Sequence, residues 1–303
     1  MILITGGTGV MGRALTAGSV RAGRSVRVLT LPGDPNAVRA RALGADVRFG
    51  DISKQDDVRS VCDGVTTVYH LAAIIIAYDN RRYRSVNVDG TKHMIAEARR
   101  AGVEHFVYVS SASVVYPKPT PYSLSKRACE DIVRGSGLEY TIVRPTLVYG
   151  KQGGREFDLF LDYLKRFPVV PFIGAGRARK RPVFVDDVTD GLLKLAGNGA
   201  ARGKQYNFSG GEVISMREFA RLCLTLAGDG ARPIVPLPVW FCRALAGVMG
   251  AVMKRPPLRW PVIAGVTQDA DLDPGPAKQD LGYAPAGVRE KLPSCFPRGS
   301  AAA

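Results

Sequence analysis

Short apolar runs alternate with helix-like segments through the first half of the chain. The runs that predict strands are Ile2–Thr5, Ser25–Thr30, Asp46–Phe49, Thr66–Leu71, His105–Ser110 and Tyr140–Val143. Helices are predicted between them at Gly12–Ala22, Asn80–Ala101 and Tyr122–Ser136. Parallel strands need crossover connections, so this alternation predicts an α/β fold with a doubly wound parallel sheet that is covered on both faces.

The alternation becomes irregular after Gly150, where glycine and proline are frequent. We therefore predict that residues 1–150 form the sheet domain and that residues 151–303 are mostly a smaller, mixed substrate-binding portion. Pro182–Val188 has the pattern of a strand followed by the start of a helix. A strand near residues 182–186 is accordingly expected to return to the main sheet.

The first strand runs directly into a glycine loop, Thr5–Gly12, with the sequence TGGTGVMG. Gly6, Gly9 and Gly12 have the spacing G-x-x-G-x-x-G, and starting from Gly7 the spacing is G-x-G-x-x-G. A strand before such a loop and a helix after it are typical of dinucleotide binding, because the glycines permit a tight turn and a close approach to a pyrophosphate. The sheet is therefore predicted to be Rossmann-type and to bind NAD or NADP.

The choice between the two cofactors depends on the end of the second strand, where NAD sites carry an acid and NADP sites an arginine nearby. Here the strand ends in Thr30 and Leu31, and Asp34 follows inside a Pro-Gly turn. Neither an acid nor an arginine stands at the expected position. The missing acid gives a slight preference for NADP.

Tyr122 and Lys126 are four residues apart on a predicted helix, so both side chains lie on one face. Hydroxyl side chains precede them at the end of the fifth strand, in Tyr108–Ser113 (YVSSAS). Tyrosine has an ordinary pKa of about 10 and is a poor base at pH 7, but a nearby ammonium favours the phenolate. A serine can hold a substrate oxygen beside such a tyrosine. The set predicts hydride chemistry on a carbonyl or an alcohol.

The bulk composition adds few constraints. The formal net charge is +15, with 42 basic and 27 acidic residues, but the charges are scattered, so we expect no nucleic-acid partner. The five cysteines include no C-x-x-C pair, which argues against a disulfide framework and against a zinc site; no metal is expected. No leader is expected before the first strand, and a cytoplasmic location follows as the default.

One apolar stretch, Pro238–Met253, is too short for a membrane-spanning helix, which needs roughly 20 apolar residues. We expect a buried or half-buried helix near the substrate site. Peripheral membrane contact, or an apolar wall for the substrate, remains open for this stretch.

Taken together, these residues resemble the extended short-chain dehydrogenase/reductase family, including NAD-dependent epimerases and dehydratases and the 3β-hydroxysteroid dehydrogenase-like branch. The resemblance covers about residues 1–195. The matching segments are Thr5–Gly12, Gly50–Ile52, His70–Ala73, Asn87–Thr91, Tyr108–Ser113, Tyr122–Lys126, Arg144–Gly150 and Phe184–Val188.

The resemblance implies a role for each matching residue. Ser111, Tyr122 and Lys126 would be catalytic, with Ser110 and Ser113 as alternatives to Ser111. Asp51 and Ile52 would lie at the adenine, and Asn87 would support the sheet and a water near the lysine. The cofactor would be bound by Gly6, Thr8, Gly9, Val10, Met11, Gly12, Thr30, Asp51, Ile52, Leu71, Ala72, Ala73, Tyr122, Lys126 and Pro145.

Three functions remain as hypotheses. The leading one is an NAD(P)-dependent ketone reductase or alcohol dehydrogenase acting on a hydrophobic small molecule. The second is a nucleotide-sugar epimerase or dehydratase, which is less favoured because Arg179–Val185 lacks the Arg-Asp pair usual in those enzymes. Lys180 and Arg181 are the candidates that could substitute for it. The third is a non-enzymatic dinucleotide-binding accessory or sensor protein. The resemblance is also compatible with a homodimer formed through paired helices.

Overall fold

The computed structural model describes residues 1–151 and 154–296. Its strands are β1 Ile2–Thr5, β2 Val26–Thr30, β3 Asp46–Phe49, β4 Thr67–His70, β5 His105–Val109, β6 Tyr140–Pro145, β7 Val148–Tyr149, β8 Val170–Ile173, β9 Arg179–Lys180, β10 Val183–Phe184, β11 Lys204–Phe208, β12 Ile214–Ser215 and β13 Ile234–Leu237. Its α-helices are α1 Val10–Arg21, α2 Ala37–Ala42, α3 Gly90–Arg100, α4 Pro121–Arg134, α5 Arg155–Arg166, α6 Val185–Leu193, α7 Met216–Leu226, α8 Val239–Val252, α9 Trp260–Thr267, α10 Gly275–Leu281 and α11 Val288–Lys291.

Within the described residues, seven parallel strands form one sheet in the order β11-β6-β5-β4-β1-β2-β3. The strand order reverses between β1 and β4, which creates a crevice at the carboxyl ends of the strands. This confirms the predicted Rossmann-type α/β fold. Each of the predicted strands of the first half is present, within a residue or two of its expected bounds.

Two apolar clusters cover the faces of this sheet. One joins Leu15 of α1 to Val188 and Leu192 of α6. The other joins Met94 of α3 to Val133 of α4. Because α4 packs on the sheet along its length, the tyrosine and lysine near its N-terminus are held at the crevice.

The strand expected to return to the main sheet near residues 182–186 does not do so. β10 instead pairs with β7 in a separate two-stranded sheet. The outer edge of β6 is already occupied by β11, which pairs with it from Lys204 to Phe208 and is the seventh strand of the main sheet. The edge has no hydrogen-bonding groups left for β10.

The long helix predicted at Asn80–Ala101 contains a π-helical segment, Tyr83–Asp89, followed by α3. The Asn87 side chain accepts a hydrogen bond from the Ile74 backbone at 2.9 Å and donates to the Ile74 carbonyl at 3.1 Å and to Ser125 at 3.0 Å. Single π turns occur mostly where a helix must aim a side chain at a functional site. Here the wider turn ties the loop after β4 to α4.

The remaining residues build a smaller unit on a third apolar cluster, which includes Phe172, Phe219 and Leu224. Its strands pair two by two, as β8 with β13 and β9 with β12. The apolar stretch at residues 238–253 forms α8, but the expectation of a buried or half-buried helix is wrong. Within α8 the structure buries only Cys242, because a single edge of the helix packs on the protein. In the described part of the chain, no helix combines the length and the apolar character needed to cross a bilayer.

Candidate active site

The glycine loop lies at the crevice, between β1 and α1. Gly6 has a positive φ of +68°, and a Cβ there would meet the Ala72 backbone nitrogen at 2.9 Å. A Cβ on Gly12 would lie 2.1 Å from the Gly6 carbonyl oxygen. Both positions therefore require glycine for the turn and for close packing of the helix on the strand.

Gly9 is different, because the fold alone does not require a glycine there. It is exposed, its φ is −69°, and a Cβ would come no closer than 3.3 Å to the Gly6 carbonyl oxygen. It caps α1 without a side-chain hydrogen bond, and the first turn of α1 holds no acidic residue. The first N–H groups of α1, from Val10 onward, thus face a cradle that fits a pyrophosphate.

This difference predicts opposite results for two alanine variants. Gly9→Ala is expected to keep the thermal midpoint of the wild type and to weaken NADH binding by about tenfold or more, because the methyl group occupies the pyrophosphate cradle. Gly12→Ala is expected to unfold more easily, by about 1–3 kcal/mol, because its methyl group meets backbone. Calorimetric titration and thermal unfolding measure both effects. Unchanged NADH affinity in Gly9→Ala would contradict the assignment of the cradle.

An acidic side chain does lie at the end of β2, although no acid stands at the position in the sequence where one is expected. The Asp34 carboxylate accepts hydrogen bonds from Thr8 at 2.6 Å, from Thr30 at 2.7 Å and from the Asn36 backbone at 2.9 Å. Partial burial raises the pKa of Asp34, but these hydrogen bonds lower it by more, so it lies below its usual value. The turn after Leu31 brings this anion back to the glycine loop.

The other predicted cofactor residues also follow strand ends. Leu71, Ala72 and Ala73 leave β4 beside the glycine loop, and the Thr5 hydroxyl accepts from the Ala72 N–H at 3.2 Å. Pro145 is buried at the end of β6. Asp51 and Ile52 follow β3, but Ile52 is only 6% exposed and packs toward Gly90. The Ile52 side chain is therefore engaged in packing against the start of α3.

The three serines after β5 have different surroundings. Ser110 is buried and donates to the Glu130 carboxylate at 2.6 Å, so its hydroxyl is engaged in the interior. The hydroxyls of Ser111 and Ser113 lie 3.0 Å apart. Ser111 also lies close enough to Tyr122 to lower the pKa of its phenol. The geometry thus favours Ser111 over the two alternatives.

Tyr122 begins α4 behind a capping box formed by Thr120 and Ser123, with Pro121 at the first helical position. Its ring lies 6.2 Å from that of Tyr83. Burial, followed by the charge of Glu156, raises the pKa of Tyr122 above its usual value, and the nearby Ser111 hydroxyl opposes this. The phenol is therefore neutral and able to donate a proton.

Lys126 is 2% exposed, one turn after Tyr122. Its ammonium donates to the Val109 carbonyl at 2.6 Å and lies 4.3 Å from the centre of the Tyr108 ring. Burial lowers the pKa of Lys126 to about 8. The sequence predicts that this charge lowers the pKa of Tyr122. The ammonium instead donates its hydrogen bond to the carbonyl at the end of β5. The group that favours the phenolate of Tyr122 is Ser111.

A buried ion-pair network fixes α4 to the sheet. Glu130 is 1% exposed and accepts two hydrogen bonds from Arg144 of β6, at 2.8 and 2.6 Å. Arg134 adds a third at 3.0 Å, and Ser110 completes the set. The network locks the serine segment, β6 and α4 together, which sets the position of Tyr122.

Lys180 and Arg181, the two candidates for recognising a phosphorylated substrate, are engaged in other contacts. Lys180 is 3% exposed, and its ammonium donates to the Gln268 carbonyl at 2.5 Å and to the Tyr116 hydroxyl at 3.3 Å. Arg181 pairs with Asp271 at 2.5 Å. Neither cation points an unpaired charge toward the crevice.

Sequence patterns gave no indication of the roles of Asp34, Glu130 and Arg144. Asp34 was set aside because a Pro-Gly turn separates it from β2, and only the geometry of the turn returns its carboxylate to the strand end. Glu130 and Arg144 lie in the matched segments or beside them without any charge pattern that links them. The fold predicts that α4 and β6 are neighbours. A carboxylate on one and an arginine on the other is therefore a weak signal of a buried ion pair.

Known proteins share this architecture. A model of the NAD dependent epimerase/dehydratase family matches residues 2–209. A 4-hydroxy-2-methyl-3-oxo-4-farnesyl-3,4-dihydroquinoline-1-oxide ketoreductase from Stigmatella aurantiaca is 26% identical, over 93% of this chain and 91% of its own length. A 3-beta-hydroxysteroid dehydrogenase from Mycolicibacterium neoaurum is 26% identical, over 98% and 90%. A dTDP-glucose 4,6-dehydratase from Streptomyces venezuelae, solved with NAD and TYD bound, has a TM-score of 0.77 at 23% identity, covering 96% of this chain and 94% of that one.

The predicted family resemblance and the prediction of an enzyme are thereby confirmed. The match extends over the whole Rossmann-type sheet and includes the glycine loop, the serine segment and the tyrosine–lysine helix. The chain belongs to the NAD dependent epimerase/dehydratase family and is an NAD(P)-dependent oxidoreductase of the extended short-chain dehydrogenase/reductase type.

Proposed function

We propose that this enzyme interconverts a ketone and an alcohol on a hydrophobic small molecule, with Tyr122 as the proton donor and acceptor. The observation that carries the proposal is the arrangement at the carboxyl edge of the sheet, where Ser111 follows β5 and lies beside Tyr122 at the start of α4, next to the buried Lys126. A bound nicotinamide dinucleotide would supply or accept the hydride.

Each of the three residues has a separate role in this reaction. The Ser111 hydroxyl donates to the substrate carbonyl oxygen and holds it beside Tyr122. Tyr122, neutral in this environment, gives its proton to that oxygen during reduction. Lys126 holds a positive charge behind the tyrosine below a pH of about 8 and can bind the nicotinamide ribose. The raised pKa of Tyr122 keeps the phenol protonated near neutral pH, which is the form that gives a proton in ketone reduction.

The surroundings of the site support an apolar substrate. Ile75 and Tyr78 of the loop after β4 are 40% and 51% exposed, and Val115 after the serine segment is 41% exposed. The loop is hydrogen-bonded to Tyr83, whose ring lies 6.2 Å from that of Tyr122, and Val115 ends the short helix that follows Ser111. The named substrates of the ketoreductase and the steroid dehydrogenase above, a farnesylated quinoline and a steroid, are of the same apolar kind.

The alternative, a nucleotide-sugar epimerase or dehydratase, is supported by the dTDP-glucose dehydratase among the structural neighbours. The interior pairing of Lys180 and Arg181 weighs against it. Net NADH consumption with apolar ketones such as a steroid ketone, and none with nucleotide sugars, is the expected result. Tightly bound NAD with sugar conversion and no net consumption would replace the proposal by the alternative, and absence of both activities would favour a binding or sensor role.

We further propose NAD as the cofactor, which replaces the slight preference for NADP. The Asp34 anion at the end of β2 suits a ribose hydroxyl and repels a 2′-phosphate. Calorimetric titration is expected to show tighter binding of NADH than of NADPH. Asp34→Ala should weaken NADH binding by about tenfold or more, since hydrogen bonds to charged groups contribute about 1.5–3 kcal/mol.

Two further variants separate this role from a general effect. Asp56→Ala removes the same charge from a side chain that is 88% exposed and should leave both affinities unchanged. Leu31→Arg adds a cation at a position that is 55% exposed and should raise NADPH affinity. Tighter NADPH binding by the wild type would overturn the proposal.

The homodimer and the cytoplasmic location stay predictions. The homodimer is supported by Leu124, which is 50% exposed on α4 beside the π-helical segment.

A further inference from the structure

Helix α8 turns most of its apolar side chains to the solvent. Trp240, Val248 and Val252 are 72%, 63% and 77% exposed, and Phe241 and Met253 are both 43% exposed. Exposed apolar surfaces of this kind mark sites that contact another apolar phase. Every residue of the helix except Arg243 is apolar or glycine, so it has no polar face of its own for water.

The charge around α8 has a single sign. From Gly230 to Gln268 the chain has no Asp or Glu. Arg243 lies on the helix, Lys254 and Arg255 follow it directly, and all three are exposed. Apolar residues flanked by lysine and arginine are the pattern of helices that lie in the headgroup region of anionic membranes.

The same surface continues to the mouth of the active site. The Arg243 guanidinium lies 4.7 Å from the centre of the Trp260 indole ring, and the indole N–H donates to the Pro119 carbonyl at 3.0 Å. Arg259 donates to the Ala77 carbonyl at 2.5 Å and lies 4.4 Å from the centre of the Tyr78 ring. These contacts tie α8 and α9 to the two loops that border Tyr122.

We propose that α8 docks the enzyme on an anionic phospholipid bilayer, with the mouth of the active site close to the lipid. The helix has 14 residues and is about 21 Å long, shorter than the roughly 30 Å hydrocarbon core, so it lies in the interface and does not cross it. Trp240 and Val248 enter the headgroup and acyl boundary while the cations meet lipid phosphates. Docking stands apart from the chemistry; only its benefit, access to an apolar substrate dissolved in the lipid, rests on the proposed function.

A second copy of this chain fits the surface less well. In a symmetric dimer the same patch contacts itself, which would bring Arg243, Lys254 and Arg255 close to their own copies with no acidic residue between Gly230 and Gln268 to offset them. Lipid phosphates supply the opposite charge. The charge pattern therefore favours the bilayer.

Flotation with vesicles tests the docking without any substrate. We expect the wild type to bind vesicles of phosphatidylcholine with phosphatidylglycerol, and to bind much less to phosphatidylcholine alone or at high salt. Val248→Glu should bind about tenfold more weakly. The matched control is Val38→Glu on α2, which is 69% exposed and should bind like the wild type.

Three results would overturn the proposal: no vesicle binding by the wild type, the same loss in Val38→Glu as in Val248→Glu, or a dimer that Val248→Glu dissociates in the absence of lipid binding. Thermal midpoints of both variants should match the wild type, because both side chains are exposed. Turnover of a short, water-soluble ketone should be unchanged in Val248→Glu. Absence of turnover in the wild type together with normal vesicle binding would instead count against the proposed function alone.

Discussion

Replacing Tyr122 by phenylalanine is expected to lower kcat for ketone reduction by about 10²- to 10⁴-fold while NADH binding stays within a factor of about two. The variant keeps the ring, which lies 6.2 Å from the Tyr83 ring, and removes only the hydroxyl, which lies near Ser111. The nearby Ser110 hydroxyl does not replace its proton, because it donates to the buried Glu130 carboxylate. Steady-state kinetics and calorimetry on the same preparation measure both quantities.

Tyr140→Phe, on a strand of the sheet and outside the crevice, is the matched control and should turn over like the wild type. Retention of full activity by Tyr122→Phe would assign the proton transfer to another group and remove the main support for the proposed mechanism. A parallel loss of activity and NADH binding would place Tyr122 in the cofactor site without a role in proton transfer.

Replacing Glu130 by glutamine is expected to lower the free energy of unfolding at pH 7 by about 3–5 kcal/mol, because it leaves the Arg144 guanidinium in the protein without its anion. Burial raises the pKa of Glu130, but hydrogen bonds from Arg144 and Ser110 lower it by more, so the folded-state pKa lies below the usual value. The stabilisation is therefore present above the unfolded-state pKa of about 4.3 and is lost as the pH falls through the folded-state pKa. Urea unfolding at neutral and acid pH should show the wild type approaching the variant in acid.

Asp131→Asn provides the comparison on the same helix. Asp131 also pairs with Arg134, at 3.1 Å, but its side chain is 71% exposed. Its loss should change the free energy of unfolding by less than about 1 kcal/mol. Equal effects of the two substitutions would mean that the burial of Glu130 does not increase the contribution of its ion pairs to the free energy of unfolding.

The pattern of apolar residues was enough to predict the order of the elements in the first half. Strands that are buried on both faces of a parallel sheet, such as β1 and β5, have nearly continuous apolar runs, and these runs identify them in the sequence. The pattern does not predict the second half equally well, because a short strand such as β10 pairs with whichever strand edge is free in the fold. The edge of β6 went to β11, and that competition is not visible in local sequence.

Several parts of the candidate site follow from local spacing alone. The glycine loop needs Gly6 and Gly12 for its own turn and packing, and Tyr122 and Lys126 share a helix face because four residues make about one turn. The sequence by itself thus determined the fold class, the glycine loop and the placement of Tyr122 and Lys126 on one helix face. These features depend on residues that are neighbours along the chain.

Only the tertiary structure decided which groups surround that pair. In the folded chain Asp34 is hydrogen-bonded to Thr8 of the glycine loop, and the Lys126 ammonium donates to the Val109 carbonyl. Glu130 is buried between Arg144 and Ser110, and α8 is exposed. Each of these outcomes depends on contacts between residues that are far apart in sequence or separated by a turn. The free energy of such contacts depends on burial and geometry, which residue type and spacing do not specify.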